Sequence, residues 1–164
     1  MEARSVDSLP QGSEWQYEPK WDGFRCILTR TGGDIALRSK SGEDLTRYFP
    51  ELVAAARQLK ESAFVIDGEI VVPERTAFSF DALLQRIHPA PSRVSRLAKE
   101  TPAMFIAFDL LATGPSDFTG RARAARRARL ERFAKSFPRD GSFRLSAVAT
   151  DIDVAKRWLA AAGG

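Results

Sequence analysis

Apolar and polar residues alternate over Phe24–Thr31 (FRCILTRT) and again over Asp34–Ser39 (DIALRS), on either side of Gly32-Gly33. That period of two with a glycine pair between the runs predicts a β-hairpin. Phe49, Leu52, Ala56 and Leu59 then recur at helical spacing, and Pro50 fits the first turn, where an N–H has no partner to lose, so a helix of about ten residues is expected. Ala63–Val72 is rich in β-branched residues and reads as a strand carrying Gly68 and closed by Pro73. Phe80–His88 suits a short helix stopping before Pro89, and the stretch Pro89–Pro102 reads as an excursion over the surface. Met104–Ala112 is apolar except at Asp109, as in a central strand covered on both faces. Leu130, Phe133, Ala134 and Phe137 mark the inner stripe of a helix whose outer surface is expected to carry Arg121, Arg123, Arg126, Arg127, Arg129 and Arg132. Ser142–Val148 reads as a strand. Ala155, Trp158, Leu159 and Ala162 define a last amphipathic helix, capped by Asp151 or Asp153 and stopped at Gly163. Residues 1–14, polar and holding Pro10 and Gly12, read as a flexible lead-in or covering loop.

Hairpin-joined strands dominate early and no βαβ unit repeats, so the class is α+β with mostly antiparallel sheet flanked by helices. Composition adds a few bounds. The 164 residues are 44% hydrophobic and 28% charged, enough for one real core. A net charge of +4 and a pI near 9.6 suit an anionic partner. The lone Cys26 cannot form an internal disulfide and sits in an apolar strand, where a buried inert thiol is expected. With one histidine, His88, beside a proline, a histidine triad or a zinc site is disfavoured. No apolar run approaches the ~18 residues of a membrane span and the first residues lack a hydrophobic signal region, so a cytoplasmic protein without a membrane partner is expected.

Charged residues in or beside apolar strands narrow the chemistry. They fall into four groups: Lys20, Asp22 and Arg25; Arg38, Ser39 and Lys40; Asp67 and Glu69; and Asp109. A carboxylate in a buried strand must be paired or solvated. These groups therefore either converge on one wet cleft or each form a local ion pair. Asp67 and Glu69, two apart in a strand, share a face, and Gly68 between them allows a close approach by backbone or ligand. Such a pair can hold a ribose, a cation or a lysine. Alone it is an incomplete Mg²⁺ ligand set, because that ion prefers octahedral oxygen coordination.

K-x-D-G-x-R at 20–25, SKSGEDLT and FPEL within 39–52, DGEIVV at 67–72 and FIAFDLL at 105–111 form an ordered series. It resembles that of ATP-dependent DNA ligases, within the covalent nucleotidyltransferase superfamily of ligases and capping enzymes. The resemblance implies a ligase-type, ATP-grasp-like nucleotidyltransferase domain that forms a lysyl-AMP intermediate for sealing nicks in duplex DNA, with ATP and Mg²⁺ or Mn²⁺ as cofactors. By position it makes Lys20 the nucleophile, which must be partly neutral to attack, a state that nearby cations or desolvation promote. Arg25 and Lys40 would meet phosphate or ribose, Glu69 the ribose and metal side with Asp67 in support, and Asp22 would support the first motif. Phe108 corresponds to the aromatic that stacks on adenine, although by pattern alone it is a core phenylalanine. Lys40 stands where the family usually has arginine, which keeps the charge and loses the two-pronged contact.

After the helix ending WLAAAGG the family continues into E-G-x-x-x-K, K-x-K and an OB-fold domain. The resemblance thus implies a partial adenylation domain over 15–164, incomplete at its C-terminus and without an OB-fold domain. A second polypeptide or a further C-terminal segment would complete the sheet. The alternative function is an inactive nucleotide- or DNA-binding remnant. For that role Arg38, Arg123 and Arg127 are the candidate nucleic-acid contacts, against the plainer reading of the arginine-rich surface as a solvated helix face.

Overall fold

The computed structural model describes residues 6–75 and 77–162. Residues 1–5 of the expected lead-in, and Gly163 as a helix stop, lie outside the described residues. The chain forms two compact units, Trp21–Leu145 and a smaller one made of 1–20 with 146–164.

In the larger unit the expected hairpin forms as β1 (Phe24–Thr31) and β2 (Asp34–Ser39), with Thr31 opposite Asp34 and Gly32 at φ 61° supplying the turn. β3 (Ala63–Val71) pairs antiparallel with β1, and β6 (Met104–Thr113) with β3. The short β7 (Ser116–Asp117) folds back on the far end of β6, and β8 (Phe143–Leu145) lies parallel to its near end. The strand order is β2-β1-β3-β6-β7 with β8 beside β6. A two-stranded ribbon, β4 (Pro73–Glu74) and β5 (Ala77–Phe78), follows β3. Antiparallel pairing dominates, as expected.

The alternation along the strands separates two faces. Leu28, Leu37, Phe64, Ile66, Ile70, Phe105 and Leu110 point to one side and are buried there by two helices. Helix α1 (Pro50–Arg57) contributes Leu52, Ala55 and Ala56, and α4 (Arg123–Ala134) contributes Leu130 and Phe133. Pro50 occupies the first turn of α1, and α1 is shorter than the apolar spacing suggests, although Leu59 beyond its end is still buried. On the other face Val71, Met104 and Ile106 pack with Trp21 and Phe78, leaving room for polar groups.

Four expectations change. The stretch read as a surface excursion contains a helix, α3 (Pro91–Glu100), which starts on a proline and buries Val94 and Leu97 three residues apart. Two apolar anchors among charges are a weak pattern, and the flanking prolines masked them. The helix α2 (Phe80–Leu84) is shorter than the run to His88, and the strand expected to Val148 ends at Leu145. The arginines of α4 are not all on its outer surface, since Arg127 is buried and Arg126 half-buried.

In the smaller unit, Tyr17 and Ala149 exchange backbone hydrogen bonds at 2.8 and 3.0 Å, and the Tyr17 hydroxyl donates to the Pro10 carbonyl at 2.6 Å. α5 (Ile152–Ala162) is capped by Asp151, whose carboxylate accepts from the Asp153 N–H at 2.8 Å. Ala155 is buried as expected, whereas Leu159 is 64% exposed within this helix.

Candidate active site

The second, less apolar face of the sheet gathers the motif residues of the larger unit. Arg25 on β1 stands directly across from Glu69 on β3. Its guanidinium reaches diagonally to Asp67, with Nε donating to Oδ1 at 3.1 Å and Nη2 to Oδ2 at 2.7 Å. Asp67 is buried and Glu69 half-buried, two residues apart on one face, as the spacing predicts. The glycines in both motifs answer to close approach. A Cβ on Gly68 would lie 2.4 Å from the Phe105 ring and 2.6 Å from the Ile106 carbonyl, and one on Gly23 would lie 2.2 Å from the Ile70 carbonyl.

Phe108 is positioned by a feature without a sequence signature. Asp67 pairs with Asp109 and Gly68 with Ala107, so Phe108 is the extra residue of a β-bulge in β6. Its ring is only half-buried, which corrects the core reading, and the Arg25 guanidinium carbon lies 5.8 Å from its centroid. Asp109, cross-strand from Asp67, would set two carboxylates against each other without further cations. Arg126 of α4 grips Asp109 with Nε at 2.9 and 3.1 Å from its two oxygens and Nη2 at 2.8 Å, and the Leu110 N–H adds a bond at 2.9 Å. Those bonds hold the Arg126 guanidinium above its ordinary pKa. For Asp67 and Asp109, local ion pairing therefore wins over convergence on a single wet cleft.

An open cleft of about 870 Å³ is bordered by Phe24, Arg25, Lys40, Glu43, Tyr48 and Ile87, so it takes in Arg25 and Lys40 but not Asp67, Glu69 or Phe108. Lys40 is exposed in the loop after β2. The Ser39 N–H donates to the Glu43 carbonyl, the Ser39 hydroxyl accepts from the Glu43 N–H, and Gly42 takes φ 89°, so the loop curls tightly. Arg38 is exposed and donates to the Gly42 carbonyl at 3.4 Å. The Thr46 hydroxyl and N–H hold the Asp44 carboxyl below the usual carboxylate range. Asp22 is exposed.

Lys20 belongs to the smaller unit. It is exposed and lines a largely apolar groove with Trp15, Tyr17, Trp158 and Leu159. Of the candidate nucleic-acid contacts on α4, Arg123 is half-buried, while Arg127 is buried and donates to Glu131 at 2.8 Å, within its own helix. Cys26 lies beneath the face. Burial pushes its thiol up to about 12, with the charges of Asp67 and Glu69 adding to the rise against a backbone hydrogen bond from Arg38. The expected inert thiol is what the site contains.

One buried polar assembly escaped the sequence reading. Arg86 is fully buried, with Nη1 2.7 Å from Glu51 Oε1 and Nη2 donating to Glu51 Oε2 at 2.9 Å and to the Tyr48 carbonyl at 2.9 Å. It also donates to the Thr101 carbonyl and stands over the Phe49 ring at 5.0 Å. Glu51 accepts in turn from the Ala103 N–H. The glutamate of FPEL is thus the keystone joining α1, the segment after α2 and the start of β6. Its signal was a charged pair placed inside two apolar runs.

An antiparallel sheet backed by helices, with a motif arginine, a D-G-E carboxylate pair and a bulge-borne aromatic on its open face, defines a domain of the covalent nucleotidyltransferase class. The profile described as "ATP dependent DNA ligase domain" matches residues 2–163, and the chain belongs to the ATP-dependent DNA ligase family. It is 51% identical over 160 residues to DNA ligase C2 of Mycolicibacterium smegmatis, covering 97% of this chain and 44% of that protein. Against DNA ligase C of Mycobacterium tuberculosis it is 48% identical, with the same coverage. The chain thus spans less than half the length of these curated relatives. Among solved structures, the ligase domain of Mycobacterium tuberculosis LigD superposes with a TM-score of 0.67 at 28% identity, over 89% of this chain and 45% of that one. A mycobacterial DNA ligase D complexed with ATP and MES gives 0.64 at 31%, over 83% and 40%.

Proposed function

We propose that this chain carries the ATP-binding and lysine-adenylating chemistry of a DNA ligase, with Lys20 as the nucleophile. An ammonium has no lone pair, so one proton leaves the amine to solvent before attack, and a second leaves the nitrogen to solvent as the phosphoramidate forms. Nitrogen then bonds to the α-phosphorus of ATP as the bond to the bridging oxygen breaks, pyrophosphate departs with that electron pair, and Lys20 is left as a phosphoramidate of AMP. Arg25 and Lys40 offset the charge on the phosphates, Glu69 holds the ribose, and Phe108 offers its face to the adenine. Asp67 fixes the guanidinium of Arg25 so that its remaining edge meets the nucleotide in one orientation.

The acidic donors suit a divalent cation only as a partial set. Among the described residues no group of three or more histidine, cysteine or acidic side chains could hold a metal, and Asp67 is engaged by Arg25. Glu69 would give one carboxylate oxygen, with nucleotide phosphates and water making up the rest, and the ion would supply charge neutralisation at phosphorus. Nicked duplex DNA is the recipient this reading assigns to the activated adenylate.

The observation that carries the proposal is the joint presentation of Arg25, Asp67, Glu69 and Phe108 on one open face of a ligase-family sheet. Its test is incubation with α-labelled ATP and Mg²⁺ followed by denaturing electrophoresis. The wild-type chain should retain label and Lys20→Ala should not. A folded wild-type chain that takes up no label, or a Lys20→Ala variant that labels equally, overturns it.

A further inference from the structure

The basic character of this protein is concentrated in one segment. Residues 121–144 hold nine Lys and Arg against two Asp and Glu, whereas the whole chain holds 25 against 21. The other 140 residues therefore carry sixteen basic against nineteen acidic groups and are net acidic. Helix α4 lies at the centre of this segment, with Arg123, Arg126, Arg129 and Arg132 in an unbroken series three residues apart. Like charges at that spacing repel and destabilise a helix, and cations in the first turn oppose the macrodipole. Folding explains part of the series, because Arg126 neutralises Asp109 and the neighbouring Arg127 takes Glu131.

Arg129 and Arg132 have no such explanation. Both are exposed, and among the described residues no carboxylate lies within salt-bridge distance of either. Arg129 is instead held over the Phe118 ring, 4.4 Å from its centroid, so its guanidinium is ordered without being neutralised. Together with Thr113, Phe118 and Phe133 the two arginines border a cavity of about 250 Å³, and Glu61 forms part of its rim. This cavity sits at the end of β6 seven residues beyond Ile106, the partner of Glu69, on the order of 20 Å along the strand. It is associated with the helix-covered face, opposite the one that bears Glu69.

We propose that Arg129 and Arg132 form a contact site for the phosphate backbone of duplex DNA, separate from the nucleotide site and independent of base sequence. Two un-neutralised arginines about a small hollow, in the most basic segment of the chain, offer the charge and hydrogen-bond donors that backbone phosphates take. Binding there would relieve the repulsion along α4. This goes beyond the lysine-adenylation step, which itself needs no DNA.

The test is the salt dependence of binding by the 164-residue chain to a short fluorescent duplex, between about 50 and 200 mM KCl. Replacing both arginines in R129Q/R132Q should make the slope of log affinity against log salt shallower by about two, so that the variant loses roughly ten-fold less affinity across that range. R129K/R132K should keep most of the slope. R132Q alone, which leaves the Phe118 ring covered, should lower it by about one and stands in should the double variant fail to fold. An unchanged slope in R132Q and the double variant overturns the proposal, as does a wild-type chain without salt-dependent duplex binding. So does inorganic phosphate shifting the Thr113 and Phe118 amide resonances while duplex DNA leaves them unmoved, which would make the hollow a small-anion site. Label uptake at Lys20, measured without DNA, should be unaffected in these variants, so loss of that label in the wild type would sink the adenylation reading and leave this one standing.

Discussion

Arg25 and Asp67 are joined by two hydrogen bonds, at 3.1 and 2.7 Å, across adjacent strands, and the same guanidinium lies 5.8 Å from the Phe108 ring centre. One arginine thereby neutralises a buried carboxylate and orders the open face beside it. Lysine would keep the charge and lose the fork.

Arg25→Lys should therefore cost about 1–2 kcal/mol in urea denaturation, since Asp67 keeps a cation nearby with poorer geometry. Adenylate labelling should fall by ten-fold or more under conditions where the variant is still folded. A variant that matches the wild type in labelling would remove Arg25 from the nucleotide site and leave it a structural partner of Asp67.

The two motif glycines give a sharper test of packing. At Gly23 an added methyl meets the backbone carbonyl of Ile70 at 2.2 Å, and at Gly68 it meets the Phe105 ring and the Ile106 carbonyl. Neither conflict can be relieved by a side chain swinging into solvent, because carbonyls of sheet strands are involved. Gly23→Ala and Gly68→Ala should each destabilise by about 1–3 kcal/mol or more. By contrast Gly120→Ala, where nothing lies within 4 Å, should be close to neutral.

These positions also mark how far the sequence alone could reach. The hairpin was legible because alternation and a Gly-Gly turn agree with each other, and the D-G-E carboxylates because a period of two puts them on one face. The bulge at Phe108 was not, since an extra residue in one strand is defined only by the register of its partner. Helix α3 was hidden because its stability comes from two buried contacts, Val94 and Leu97, while its composition is that of a loop. The motif charges were legible as a set, but which arginine each carboxylate takes depends on strand order and on a helix that brings Arg126 to Asp109 from seventeen residues further along the chain.

The Glu51–Arg86 pair ties three elements together away from solvent, so breaking it from one side should be severe. Glu51→Ala leaves Arg86, which is 0% exposed, without its counter-charge, and a loss of about 3–5 kcal/mol is expected in denaturant titrations. The paired replacement Glu51→Leu with Arg86→Leu should recover much of that loss, because neither charge is then stranded. A loss below about 1 kcal/mol for Glu51→Ala would show that water reaches the site.

Cys26 supplies a pH test whose sign is fixed by its environment. Burial raises the thiol from 9.0 to about 12. Below pH 9 both folded and unfolded chains keep the proton, so this group leaves stability unchanged. Between about 9 and 12 the unfolded chain releases the proton while the folded chain retains it, and stability declines as pH rises. Cys26→Ala should remove that part of the alkaline decline, seen as a smaller drop in denaturation midpoint between pH 8 and the highest pH at which the wild type still folds. In the native protein at pH 8 the thiol should resist alkylation and become reactive in denaturant. Rapid native-state alkylation would mean that β1 opens locally or that the thiol is accessible, and either outcome would contradict the packing beneath Asp67 and Glu69.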